Sequence, residues 1–392
     1  MTNRLGLDGF KLLTTCGLFL VMITNSVVGV GVGSVYIVAA YVCSAVVLRR
    51  GKSSPTRAID HEMVAAVALF FASATLVVNI QKLAFGSMED FLGRDAYGMA
   101  CDHLLISFVY LGLGVTIALP EKHSHRKGSL LGAVLLCAIL FWSGVGFIDY
   151  QVLSQNLSRH IDHLSLGDPA IILIFLLVAC ARQFQKYVVA CVGLLAIFFI
   201  QSRTVFFIGF VVIAWRLMLM APRLGMRWGF LLVFILSMAY LLGGAEDEKV
   251  SRMLFASEEM QAGSFFKRLE QFDIGVSSLS DQMAIGNINF PIEQFGSLGS
   301  YMHNILSYWQ QYGVFVFLSF LAIVYLMIRR VHRDYKYLQV CASSSAEARV
   351  MIAAYAILAV LFSRSYTFYW MWFAVGLYCT RRASVLAMAK GT

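Results

Sequence analysis

The chain has 392 residues, of which 59% are apolar and only 14% charged, with a mean hydropathy of +0.74. An average soluble domain carries about a quarter charged residues, and the apolar excess here is more than a soluble core hides, so an ordinary soluble fold is excluded. The formal net charge is +9, yet the basic residues sit in short clusters between apolar blocks and form no continuous stripe. That pattern argues against nucleic acid as a partner and reads as topogenic charge.

Taken in chain order, apolar blocks run over residues 10–30, 31–48, 62–80, 99–120, 129–148, 169–184, 187–200, 204–221, 227–244, 312–328, 350–363 and 367–380. A helix rises 1.5 Å per residue and a hydrocarbon layer takes about 20 residues to cross, so the blocks predict an all-α, polytopic transmembrane protein of about 12 spans in a single membrane domain. The shorter blocks leave room for half-spans or re-entrant segments. The first block lacks a small-residue cleavage site and flows into the second, so it is expected to remain as an anchor. Cys16, Cys43, Cys137, Cys180, Cys191 and Cys379 lie singly inside apolar blocks and no CxxC spacing occurs, which argues against a disulfide or metal framework.

Orientation follows from Lys and Arg, which accumulate on the cytoplasmic side. Clusters at 49–57, 122–127, 182–186, 216–227, 329–336 and 381–382 all fall at or after the ends of even-numbered blocks; with Arg4, Lys11, Arg349 and Lys390 they hold 22 of the 31 basic residues. The remaining nine, Lys82, Arg94, Arg159, Arg203, Lys249, Arg252, Lys267, Arg268 and Arg364, fall in the alternate loops. Both termini are therefore predicted to be cytoplasmic. The same assignment places residues 245–302 on the exterior or periplasmic side as a large polar loop. It opens on Glu246-Asp247-Glu248 and contains a partly amphipathic stretch from Ser264 to Asp281, expected to form helices near the interface.

Three basic positions stand out on that exterior face: Arg203, Arg268 and His303. Arg203 lies in Gln201-Ser202-Arg203, a short connection between two apolar blocks. It reads either as a snorkelling anchor or as an anion ligand, since a planar guanidinium binds phosphate oxygens bidentately. Arg268, next to Lys267, reads either as part of a solvated face or as a second anion ligand. His303 opens the stretch that leads into the tenth block, and helical spacing aligns it with Leu306, Ser307 and Gln310, with Gly313 placed to end or bend the helix. An imidazole with an ordinary pKa near 6.5 is the side chain best suited to take a proton from a hydroxyl near neutral pH. His160 and His163, with Asp162, are the nearest approach to a metal pair and are weak as one. Neither GxxxxGK[ST] nor GxGxxG with a soluble α/β unit occurs.

The order of these features resembles the bacterial family of O-antigen polymerases and O-antigen ligases, membrane glycosyltransferases of the type C class. The resemblance rests on Ser202-Arg203-Thr204 between two spans, Arg268 in the loop with Gly286 after it, and His303-Asn304 followed by Gly313. It covers roughly residues 195–325. The chain departs from the family pattern at Thr204, where Gly or Ala is frequent, and at Val316, where a second glycine is frequent.

The resemblance implies transfer of a glycan from an undecaprenyl pyrophosphate carrier to a sugar hydroxyl at the periplasmic face of the inner membrane. It further implies inversion at the anomeric carbon and no metal or cofactor. Arg203 and Arg268 are then expected on the pyrophosphate and His303 on the acceptor hydroxyl, with Asn304 and Tyr301 as weaker candidates for sugar or phosphate hydrogen bonds. The implied partners are undecaprenyl-pyrophosphate-linked oligosaccharides, membrane lipid and a chain-length regulator protein. Polymerisation of repeat units is favoured over ligation of the finished glycan to lipid A core. A lipid-linked-sugar transporter is the rival of another class, although no repeat between the halves supports it.

Overall fold

The computed structural model describes residues 58–117, 119, 163–181, 183–200, 202–220, 258–280, 284–298, 302–341 and 343–381. The blocks at 10–30, 31–48, 129–148 and 227–244, the residues Tyr301 and His160, and both ends of the chain lie outside them. The described residues are overwhelmingly helical: α1 (His61–Phe85), α2 (Ala96–Thr116), α3 (His163–Cys180), α4 (Gln183–Phe199), α5 (Arg203–Met220), α6 (Glu258–Ser278), α7 (Phe290–Phe295), α8 (Ser307–Val340), α9 (Ser344–Phe362) and α10 (Tyr369–Tyr378). One short antiparallel pairing joins β1 (Ala58–Ile59) to β2 (Thr380–Arg381). Among the described residues α1, α2, α8 and α9 are long and apolar enough to cross a membrane, and with the apolar helices α3, α4 and α5 they mark a membrane protein.

The chain divides into two units. In the first, α3 packs against α4 and α5, and every side chain from Leu166 to Ala181 is buried. Charges are held in pairs here. Lys186 of α4 meets Glu347 of α9 at 2.5 Å, Arg216 of α5 approaches the same carboxylate at 3.3 Å, and Arg349 meets Asp334 at 2.9 Å. Tyr355 donates to the buried Asp168 carboxylate at 2.5 Å. Charges that desolvate together need partners of opposite sign, which accounts for the acidic residue beside each of these cations.

The second unit is built around α1. Its buried positions, Met63, Val67, Phe70, Ala74, Val77, Val78 and Gln81, recur every three or four residues and form one face. Phe70 packs there with Tyr308, Phe320 and Trp372, and Tyr308 stacks on Phe320 at 3.8 Å. Asp60 caps α1 and pairs with Arg330, whose Nη2 donates to Oδ1 at 2.9 Å and whose Nε lies 2.8 Å from Oδ2, while Glu62 takes Nη2 at 2.5 Å. The helices α2 and α10 cross in backbone contact: a Cβ on Gly114 would stand 2.1 Å from the Phe373 carbonyl oxygen, the close approach that small residues permit between membrane helices.

Block and helix agree closely for α1, α2, α5 and α9, and the predicted loop does carry helices, α6 and α7. The block at 312–328 lies inside a longer helix, α8, and two further expectations differ. The last block yields a helix of ten residues, about 15 Å long and so short of a full crossing, because a hydrogen-bonded turn at 363–368 precedes it and the chain leaves it to pair with β1. The basic residues Lys186, Arg216 and Arg349 lie within helices as buried ion-pair members rather than in open loops.

Candidate functional site

The site lies in the second unit, where the large loop returns to α8. Its scaffold starts from Gln81, a fully buried amide near the end of α1. The Gln81 Nε2 donates to the carbonyls of Ile285 and Gln311 (2.8 Å for the latter), and its Oε1 accepts the Ile288 N–H at 2.8 Å. One side chain thus holds the 284–289 segment of the loop against the start of α8. The segment fits because Gly313, at φ +77°, interrupts α8, and Gly286, at φ +68°, lies directly on that interruption. A Cβ on Gly313 would stand 2.3 Å from the Ala284 oxygen, and one on Gly286 would stand 2.6 Å from the Gly313 nitrogen. The Asn287 N–H then bonds the Gln310 carbonyl at 2.8 Å, satisfying a backbone acceptor that the break would leave open.

His303 stands just upstream, in a bend ahead of α8 and not on its helical face. The expected alignment with Ser307 and Gln310 fails because Asn304 starts a turn of its own: its side-chain oxygen accepts the Leu306 N–H at 2.9 Å, and its carbonyl accepts the Ser307 hydroxyl at 2.8 Å. Asn304 therefore shapes the turn that presents His303. Ser307 extends the connection by accepting the Tyr366 N–H on Oγ at 2.8 Å. This buried hydroxyl joins the His303 turn to the 363–368 turn after α9, which carries Arg364.

Arg364 is the residue that the sequence reading passed over. It is 8% exposed, with its guanidinium carbon 5.6 Å from the centre of the Phe368 ring. The signal was present: Arg364 occupies a short connection between two apolar blocks, on the side that the charge pattern assigns to the exterior, the same feature that singled out Arg203. Arg268 lies on the exposed side of α6, whose buried face runs through Gln271 and Gly275 to Leu279 just beyond the helix.

Both cations act on His303. His303 is half-buried, and its pKa is pushed down to about 4, first by burial and then by the positive charges of Arg268 and Arg364. The imidazole is consequently neutral at neutral pH. A neutral proton acceptor that feels two nearby cations suits a reaction in which a hydroxyl is deprotonated while an anion leaves. The structure thus brings together Arg268 and His303 from the sequence expectations and adds Arg364. Arg203 opens α5 in the first unit, as the short connection predicted, and its side chain lies outside the described residues.

No family model matches the chain, and no curated protein matches it in sequence.

Proposed function

We propose that the protein is an inverting membrane glycosyltransferase that polymerises oligosaccharide repeat units carried on undecaprenyl pyrophosphate, at the periplasmic face of a bacterial inner membrane. The observation that carries this reading is the neutral His303 beside Arg268 and Arg364, on a turn locked at the exit of the large loop. In this reading about 12 spans hold the site, both termini are cytoplasmic, and the resemblance supplies the substrate class.

The acceptor hydroxyl oxygen forms a bond to the anomeric carbon as the bond from that carbon to the pyrophosphate oxygen breaks. The hydroxyl proton passes to His303, and the electron pair of the broken bond leaves with undecaprenyl pyrophosphate. Arg268 and Arg364 bind the pyrophosphate and stabilise its growing charge, the role that the resemblance also gives to Arg203. Donor binding also tunes the base. Phosphate anions offset the two cations that hold the imidazole pKa down, so His303 becomes a stronger base when the site is loaded.

Deletion of the gene separates polymerisation from its nearest alternative. Surface glycan limited to single repeat units attached to the core is the expected phenotype. Long unattached chains accumulating on the carrier lipid would instead assign the protein to ligation.

A further inference from the structure

Between α1 and α2 the chain makes a short connection, residues 86–95, whose order is out of proportion to its length. The Asp90 carboxylate accepts the backbone N–H groups of Leu92 and Arg94, each at 3.0 Å, together with Arg94 Nε at 2.9 Å and Nη2 at 2.6 Å. The backbone closes the turn from Gly93 N–H to the Asp90 carbonyl at 2.9 Å. A second set fixes its base: Ser87 bonds Asp95, the Gly98 N–H donates to the Asp95 carboxylate at 2.7 Å, and the backbones at Glu89 and Asp95 pair antiparallel, with Ala96 N–H on the Met88 carbonyl at 2.9 Å. Asn289 then accepts the Met88 N–H at 3.1 Å, so the connection is fastened to the loop as well.

This well-organised turn presents apolar side chains outward. Phe91 is 75% exposed and Leu92 62% exposed, and Phe85 and Met88 are exposed below them. Soluble turns of this kind carry polar residues at the tip, because exposed apolar surface costs about 25 cal/mol per Å² in water. The tip also continues an exposed apolar stripe on α1 formed by Leu69, Leu76, Ile80 and Leu83. Both flanking helices are long and apolar enough to cross a membrane, so the connection emerges at the bilayer boundary. The ammonium of Lys82, 3.8 Å from the centre of the Tyr97 ring, marks that level as cations and aromatic rings do at membrane interfaces.

We infer that the 86–95 turn is a rigid wedge that inserts Phe91 and Leu92 among the phospholipids of the adjacent leaflet, at the boundary of headgroups and acyl chains. The Asp90–Arg94 pair cancels charge at the tip itself, residues 90–94, while the carboxylates of Glu89 and Asp95 lie at its base. Its tie to Asn289 anchors the loop segment beneath the candidate site to the membrane surface. This inference stands apart from the glycosyltransferase reading and holds for either orientation of the chain.

The test uses the full chain in nanodiscs of phosphatidylethanolamine and phosphatidylglycerol, with an environment-sensitive fluorescent amino acid introduced at position 91 by codon suppression. Lipids bearing a nitroxide near the headgroup end of the acyl chain are expected to quench the probe several-fold more than iodide in the buffer does. Asp90→Ala, which removes the acceptor that organises the turn, is expected to lower the lipid quenching. Dominant quenching by iodide with no effect of the nitroxide lipid would overturn the inference, and lipid quenching unchanged in Asp90→Ala would overturn the rigid turn as its basis.

Discussion

A histidine can accept a proton only while it is neutral, and His303 remains so because burial and the charges of Arg268 and Arg364 oppose its protonation. In the profile of kcat/KM against pH, which reports the free enzyme, the acidic limb is therefore expected near pH 4 rather than at the ordinary histidine value near 6.5. Arg364→Gln removes one of the opposing charges, so the limb should move to higher pH; an unmoved limb would show that Arg364 does not act on the imidazole. The same shift affects stability. Because the folded pKa lies below the unfolded one, the unfolded chain takes up this proton first, and the contribution present above about pH 6.5 is lost as pH falls toward 4. Arg268→Lys and Arg203→Lys are each expected to lose most turnover, since an ammonium keeps the charge and loses the fork. Normal turnover in both variants would reduce these arginines to surface anchors. Arg268 and His303 were singled out in the sequence by residue type and by the polar loop they belong to, and His303 does feel the charge of Arg268. The alignment of His303 with the α8 face was not legible, because the Asn304 turn competes locally with helix and only the folded backbone shows which prevails.

At the scale of elements, the return of the loop depends on two devices whose partners lie far apart in the chain. Gln81 bonds Ile285, Ile288 and Gln311 from one buried amide, and each buried backbone group left unpaired costs about 1–3 kcal/mol. Gln81→Leu should therefore lower the thermal midpoint in detergent clearly and expose the 284–298 segment to limited proteolysis. Unchanged cleavage would mean that the segment is held by other contacts. Gly313→Ala places a Cβ against the Ala284 oxygen at a positive φ, and such backbone strain alone costs roughly 1–3 kcal/mol. The same proteolysis should detect displacement of the segment. The bend at Gly313 could be read from a glycine set in an apolar run. Its contact with Gly286 could not, since neither hydropathy nor spacing encodes which backbone lies against which.

Among the described residues of the whole chain, hydropathy located α5 to within one residue and α1, α2 and α9 to within about six, because length and apolarity are local properties. Pairing is not local: Lys186, Arg216 and Arg349 read as loop charges, whereas Glu347 and Asp334 draw them into buried ion pairs. Their alternation along the chain still supports the proposed orientation, which reporter fusions check. A periplasm-active reporter is expected to work after Gly263 and to fail after Arg333, and the reverse pattern would place the site on the cytoplasmic side. Catalysis itself is tested most directly by glycan extension with the purified protein in nanodiscs, supplied only with undecaprenyl-pyrophosphate-linked repeat units. Wild type is expected to lengthen the glycan and His303→Ala to lose about 10²–10⁴-fold in rate while still binding the donor; extension at the wild-type rate by His303→Ala, or none by the intact protein, would contradict the proposed reaction.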